Sequence, residues 1–258
     1  MKKLLVVLLA LGPISVFGQS AFNGTWKLNT QDMEYKGKET FLLKDGVWRC
    51  DTCRPKVVMK ADGKFHPLSG SPYADNRSET IVNDCTIKQV DKKGGKENAT
   101  VTRTASEDGN MLTTEWTAIS ESGQETHGKF SSTRVGAAPA GLNKVSGTWH
   151  PDKVEDASAG VTTVTYTVTA DGITMSDPTG DSYTAKFDGK DYPYKGDPGT
   201  TSVSLKKIDD NTIEETDKRN GKVIGVSTMT VGADGKTMKL VVEDKLHDST
   251  TKMTAEKQ

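Results

Sequence analysis

Much of what would mark an enzyme, a membrane protein or a nucleic-acid binder is scarce here. The 258 residues include three cysteines, four histidines and 6% aromatics, and 34 basic side chains face 35 acidic ones. His66, His127, His150 and His247 have no Ser or Asp partner at a useful spacing, and no Gly-x-Ser-x-Gly elbow occurs, so no hydrolase signature is present. The charges are interspersed, which excludes the concentrated basic face that displaces counterions from nucleic acid. No run beyond residue 20 approaches the roughly 20 apolar residues of a membrane-spanning helix. Helical periodicity of useful length is missing too, so an all-β chain is expected. Two near-motifs fail. "GADGKT" (232–237) lacks the four-residue gap of a phosphate loop, and "DPTGDS" (177–182) lacks the alternating carboxylates and final Glu of a helix-loop-helix calcium site.

What is present begins with an export signal: Lys2 and Lys3, the apolar run Leu4 to Leu11, Pro13 and the small Gly18, predicting removal of residues 1–20 and a periplasmic or secreted protein. No cysteine follows closely, so a lipid anchor has no acceptor. Thirty-three threonines favour strands, because a β-branched side chain suits a pleated surface.

The chain also says nearly the same thing twice. "ADGKFHPLSGSP" (61–72) and "FDGKDYPYKGDP" (187–198) match at an offset of 126, as do Asp45-Gly46 with Asp171-Gly172, Thr86-Ile87 with Thr212-Ile213, and Asp108-Gly109 with Asp234-Gly235. "FNGTWKLN" (22–29) and "VSGTWHPD" (145–152) open the copies at an offset of 123. Between them "GAAPAGLN" (136–143) is small, uncharged and broken by Pro139, as a linker should be. The expected units are therefore 21–135 and 144–258, since solenoid repeats are shorter and more numerous. Within each, β-rich runs alternate with Asp-Gly and Asn-Gly, the strongest short hairpin signals. A meander of eight to ten strands has raw edges unless it closes, so two tandem antiparallel barrels are predicted.

"GTWKL" (24–28) and "GTWH" (147–150) resemble the Gly-x-Trp opening of the calycin superfamily, the lipocalins and fatty-acid-binding proteins. The resemblance implies a Trp lying across the closed end of each barrel under a cation from the last strand. Arg134 and Lys257 each lie 108 residues after Trp26 and Trp149, so the expected pairs are Trp26 with Arg134 and Trp149 with Lys257. No helical lid and no paired Arg and Tyr for a carboxylate stand out, so fatty-acid binding is not implied. The longer runs resemble secreted bacterial proteins without an established activity.

Cys50 and Cys53, in "WRCDTCRP", align with the turn "SDPT" (176–179), and in an exported chain they are expected to form a small disulfide clip. A redox role would need a helix N-terminus to lower the thiol pKa. A zinc site would need Cys85 and His66 beside them, whereas the strand count places Cys85 at the opposite rim. No metal or cofactor is assigned. Large aromatics found in one copy only (Trp48 over Thr174, Tyr73 over Gly199, Trp116 over Val242) make the first barrel the expected ligand holder, with Trp48, His66, Tyr73 and Trp116 near the ligand. Trp116 also shares the register of Leu112, which suits core packing. The expected function is extracytoplasmic binding of a small, moderately apolar molecule in one or both barrels; a structural or interaction role with filled barrels is the alternative, and an enzyme would require reactive cysteines.

Overall fold

A computed structural model describes residues 20–258, so all but the last residue of the expected signal segment lies outside the described residues. In the first copy the strands are β1 (Gly24–Lys36), β2 (Glu39–Lys44), β3 (Val47–Cys50), β4 (Val57–Lys60), β5 (His66–Pro67), β6 (Asn76–Asn83), β7 (Thr86–Lys93), β8 (Lys96–Ala105), β9 (Met111–Ile119) and β10 (Glu125–Val135). In the second they are β11 (Gly147–Ala157), β12 (Thr163–Val168), β13 (Gly172–Ser176), β14 (Ser182–Lys186), β15 (Tyr192–Lys195), β16 (Ser202–Lys207), β17 (Thr212–Arg219), β18 (Lys222–Val231), β19 (Thr237–Asp244) and β20 (Ser249–Lys257). A single helical turn, α1 (Ala159–Thr162), precedes β12. The chain is all-β, as expected, and forms two ten-stranded antiparallel barrels, one closed and one nearly closed.

The assignment of strands to barrels departs from the sequence expectation. The closed barrel runs β1-β12-β13-β14-β15-β16-β17-β18-β19-β20, so it is completed by the opening strand of the first copy. The other sheet, β4-β3-β2-β11-β10-β9-β8-β7-β6-β5, contains the opening strand of the second. The copies 21–135 and 144–258 therefore exchange their first strands, and neither barrel is made from one copy alone. We call the barrel built mainly from residues 39–135 the first and the one from 163–257 the second.

The exchange also corrects the expected Trp–cation pairs. Trp26 lies directly opposite Lys257, whose ammonium is 4.8 Å from the indole centroid. Trp149 lies directly opposite Arg134, whose guanidinium carbon is 4.0 Å from the ring. Both indoles are fully buried and donate to the carbonyl four residues back, Trp26 to Phe22 at 2.8 Å and Trp149 to Val145 at 2.9 Å. Each cation also donates to carbonyls of the closed end, Lys257 to Ala21 and Arg134 to Gly109, Lys144 and Ser146. A face-on cation over an indole contributes about 0.5–2 kcal/mol. The four residues named for closure thus do meet in pairs, but each pair joins the two copies.

Gly46 and Gly221 take positive φ (71° and 77°) in two-residue hairpins, the conformation a tight turn demands. The Asp171-Gly172 match does not share that geometry, because β12 and β13 close at Val168 and Ile173 across a four-residue loop. The register slips there, and a one-residue slip changes faces. Trp48 is accordingly buried while its sequence partner Thr174 is exposed.

Cys50 and Cys53 form the expected disulfide at the β3–β4 loop. Cys85, in the β6–β7 turn, is a free thiol. That turn adjoins Asp45-Gly46 at the end plugged by Trp149, away from the clip.

Candidate ligand-binding site between the barrel mouths

The open ends of the barrels face each other around a pseudo-twofold axis. On one side of the axis, Arg54 in the β3–β4 loop donates through Nε to the Leu246 carbonyl in the β19–β20 turn at 2.9 Å. On the other, Ser122 in the β9–β10 turn donates to the Thr179 carbonyl in the β13–β14 loop at 2.6 Å. These are the same loops with the copies interchanged. Near the axis, equivalent positions approach each other, and both cannot be large. Tyr73 and Gly199 show this: a Cβ built on Gly199 would collide with the Tyr73 hydroxyl. The one-sided aromatic seen in the sequence is a consequence of that collision.

Between the mouths lies a cleft of about 530 Å³. Its apolar walls come from Leu28 and Val164 of the second barrel, Ala99, Ala118 and Ile119 of the first, and Val161 of α1. Leu28 and Val164 share the inner face with Trp26, and Ala99 and Ala118 are a cross-strand pair on the inner face of the first barrel, so inner-face side chains of both barrels line the cleft. Asp177, Asp181 and Asp197 also line it, with Tyr73 and the cation Lys93. Burial, then Asp177, Asp197 and Glu121, raises Asp181 to about 6. Burial and the adjacent Asp197 carboxylate push the Tyr73 phenol up.

Behind this mouth the second lumen holds Glu215 and Asp217. Tyr183 donates from its hydroxyl to Glu215, and Tyr166 donates to the Met229 sulfur at 3.3 Å. Burial and the proximity of Asp217 push Glu215 up, and burial and Asp197 push Asp217 up. The first lumen treats the equivalent level differently. Asp91 accepts from Arg77 at 2.6 and 2.8 Å, and Gln89 links Asp91 to Arg103 through bonds of 3.2 Å each. The position equivalent to Arg77 is Val203, which leaves Asp217 without a guanidinium.

The four residues expected near a ligand do not converge. Trp48 is buried in the first lumen, stacked on Phe41 at 5.4 Å, with Arg103 over both rings. Trp116 is on the inner face with Leu112 and Thr114, its indole over Gly128, where a Cβ would approach Nε1 to 2.7 Å. Tyr73 reaches the cleft. His66 is on the rim, 2.8 Å from Asp62. The residues missed were the small and aliphatic cleft walls and Asp197, while Asp177 and Asp181 stood out only as part of the failed calcium loop 177–182; the alternation of Ala99 and Ala118 with polar neighbours is too common a pattern to single out.

No protein-family model matches this chain, and no curated protein matches it. Fold and site define the class: an all-β protein of two mouth-to-mouth barrels that exchange their first strands. No helix among the described residues is long and apolar enough to cross a membrane.

Proposed function

We propose that this is a binding protein for a small, moderately apolar molecule, held where the two barrel mouths meet, and that it works outside the cytoplasm in the manner of a calycin. The cleft carries this reading: concave, walled by aliphatic side chains from both barrels, and supplied with a few polar groups, it has the make-up of small-molecule sites generally. The carboxylates of Asp177, Asp181 and Asp197 favour a ligand with a hydroxyl or amine donor at one end. The Cys50–Cys53 bridge suits an oxidising compartment. A structural or interaction role is the second reading, favoured by a second lumen occupied by its own Tyr166, Met175, Tyr183 and Leu205.

An anilinonaphthalene dye tests the cleft. Ile119 and Val161 are partly exposed on its walls, so I119D and V161D should leave folding intact and weaken dye binding at least about tenfold, from lost apolar burial and an added desolvated charge. Equal affinity in wild type and both variants would remove the cleft as the site. Native mass spectrometry of gently purified protein should show an added mass if the ligand is retained, and the bare chain if the filled-barrel reading holds.

A further inference from the structure

The lumen of the first barrel contains polar atoms that its own fold leaves unmatched. Glu79 is 0% exposed and neither carboxylate oxygen has a partner among the described residues. Glu39 Oε2, Arg103 Nε, Thr114 Oγ1 and Ser132 Oγ are likewise buried and unpartnered. Buried groups of this kind are rare, because each forgoes the hydrogen bonds it had in water.

The second barrel serves as an internal control. Cross-strand registers superpose Glu39 on Val164, since each faces the plug Trp, and Glu79 on Leu205, Arg103 on Met229, Thr114 on Leu240 and Ser132 on Ala255. At all five positions the sister barrel has an apolar side chain. The fold closes without polarity at these five positions, although the sister lumen holds one unpartnered oxygen of its own, Asp217 Oδ1, and a buried ion pair is often no more stable than its apolar replacement. The polar set therefore answers to something other than barrel closure.

Its composition indicates what. Three unmatched carboxylate oxygens face one unmatched N–H, with two hydroxyls able to turn either way, so the deficit is of donors. In charge, Glu39, Glu79 and Asp91 face Arg77 and Arg103, leaving room for one positive charge; Arg134 is engaged by closed-end carbonyls and the Trp149 face. The cleft lies one level outward of this polar set. The Ala99–Ala118 pair lines it, and the next inward-facing level holds Val101 and Trp116, with Glu79 and Gln89 alongside.

We infer that the lumen of the first barrel is a binding site for a compact monocation with N–H donors, of the ammonium or amidinium class, held by Glu79 and Glu39 beside Arg103. This goes beyond the cleft reading, which concerns an apolar body between the mouths. Burial, only partly offset by Arg103 and Arg77, raises Glu79 to about 7, and burial raises Glu39 as well, in keeping with carboxylates that lack a cation.

The test is titration of the whole protein with n-butylammonium, using n-butanol and butyrate as neutral and anionic counterparts, followed by calorimetry and the tryptophan signal. Saturable binding of the ammonium is expected, at least tenfold tighter than either counterpart. E79Q should weaken it at least tenfold, and E79L, which installs the side chain of Leu205, should abolish it without loss of fold. R103M, the sister's residue, removes a like charge and should bind at least as tightly as wild type. Dye binding in the cleft should be the same in E79Q as in wild type, so the two sites can fail separately. Butyrate binding as tight as the ammonium, affinity indifferent to Glu79, or a crystal soaked in butylammonium showing only water beside Glu79 would each overturn the inference.

Discussion

A chain cut between Ala138 and Pro139 is expected to stay together as a one-to-one complex of residues 20–138 and 139–258. The cut falls in the connecting loop, but the strand exchange holds the pieces. β1 of the first piece pairs with β12 and β20 of the second, and β11 of the second pairs with β10 and β2 of the first. Each strand carries a fully buried plug, Trp26 or Trp149. Separation would expose both indoles, about 1.5–3 kcal/mol or more for each large apolar side chain, and open two sheet edges per piece. Co-expressed pieces should therefore co-elute from size exclusion at about micromolar concentration or below. Either piece alone should be unfolded or should exchange strands with a second copy of itself, since its own β1 or β11 points out of its barrel. Two folded monomers that ignore each other would mean that each copy closes with its own first strand.

The second expected result is a destabilisation that appears in the opposite copy. W149A removes the plug of the first barrel, and truncating a fully buried aromatic costs about 3–5 kcal/mol. Hydrogen exchange should quicken first in β2, β9 and β10, although Trp149 belongs to the second copy, while β13, β14 and β16 to β19 stay protected. W26A should do the reverse, loosening β12, β19 and β20, whose side chains form the other core. Arg134 and Lys257 would lose their rings on the same crossed pattern. Loosening confined to the mutated residue's own copy would contradict the exchange.

The fold class and the duplication were legible because they rest on local chemistry. Asp45-Gly46 and Asn220-Gly221 adopt the backbone their residue types favour, and the period-2 runs between such turns have only a sheet to join. The exchange was not legible from the Trp motifs, since Gly-Thr-Trp fits the gap in either barrel equally well. Nor did the spacing give it away: only Gly37 and Lys38 separate β1 from β2, the gap of a two-residue hairpin, yet β2 pairs with β11 instead. Likewise β12 pairs with β1 rather than with β11, and Gln31 of β1 touches the Val154 carbonyl of β11 where the two strands pass.

The candidate site was legible only in outline. Aromatic residues drew attention to the first copy, and two of the four, Trp48 and Trp116, face its lumen, but His66 pairs with Asp62 at the rim. Tyr73 faces the cleft for a reason no single copy could reveal, the approach of its own counterpart Gly199. Comparing polar residues between the copies would have been more informative than comparing aromatics: Glu79 over Leu205 and Arg103 over Met229 are visible in the alignment at offset 126.

Engineered cysteines test the exchange most directly. Lys27 faces Glu256 across antiparallel strands on the exposed side, whereas closure of each copy on itself would set Lys27 opposite Thr133, the residue that faces His150 here. Under mild oxidation K27C/E256C should form an intramolecular disulfide, detectable as a mobility shift reversed by reductant, and K27C/T133C should stay reduced at those positions. A bridge in K27C/T133C and none in K27C/E256C would show that each copy keeps its own first strand.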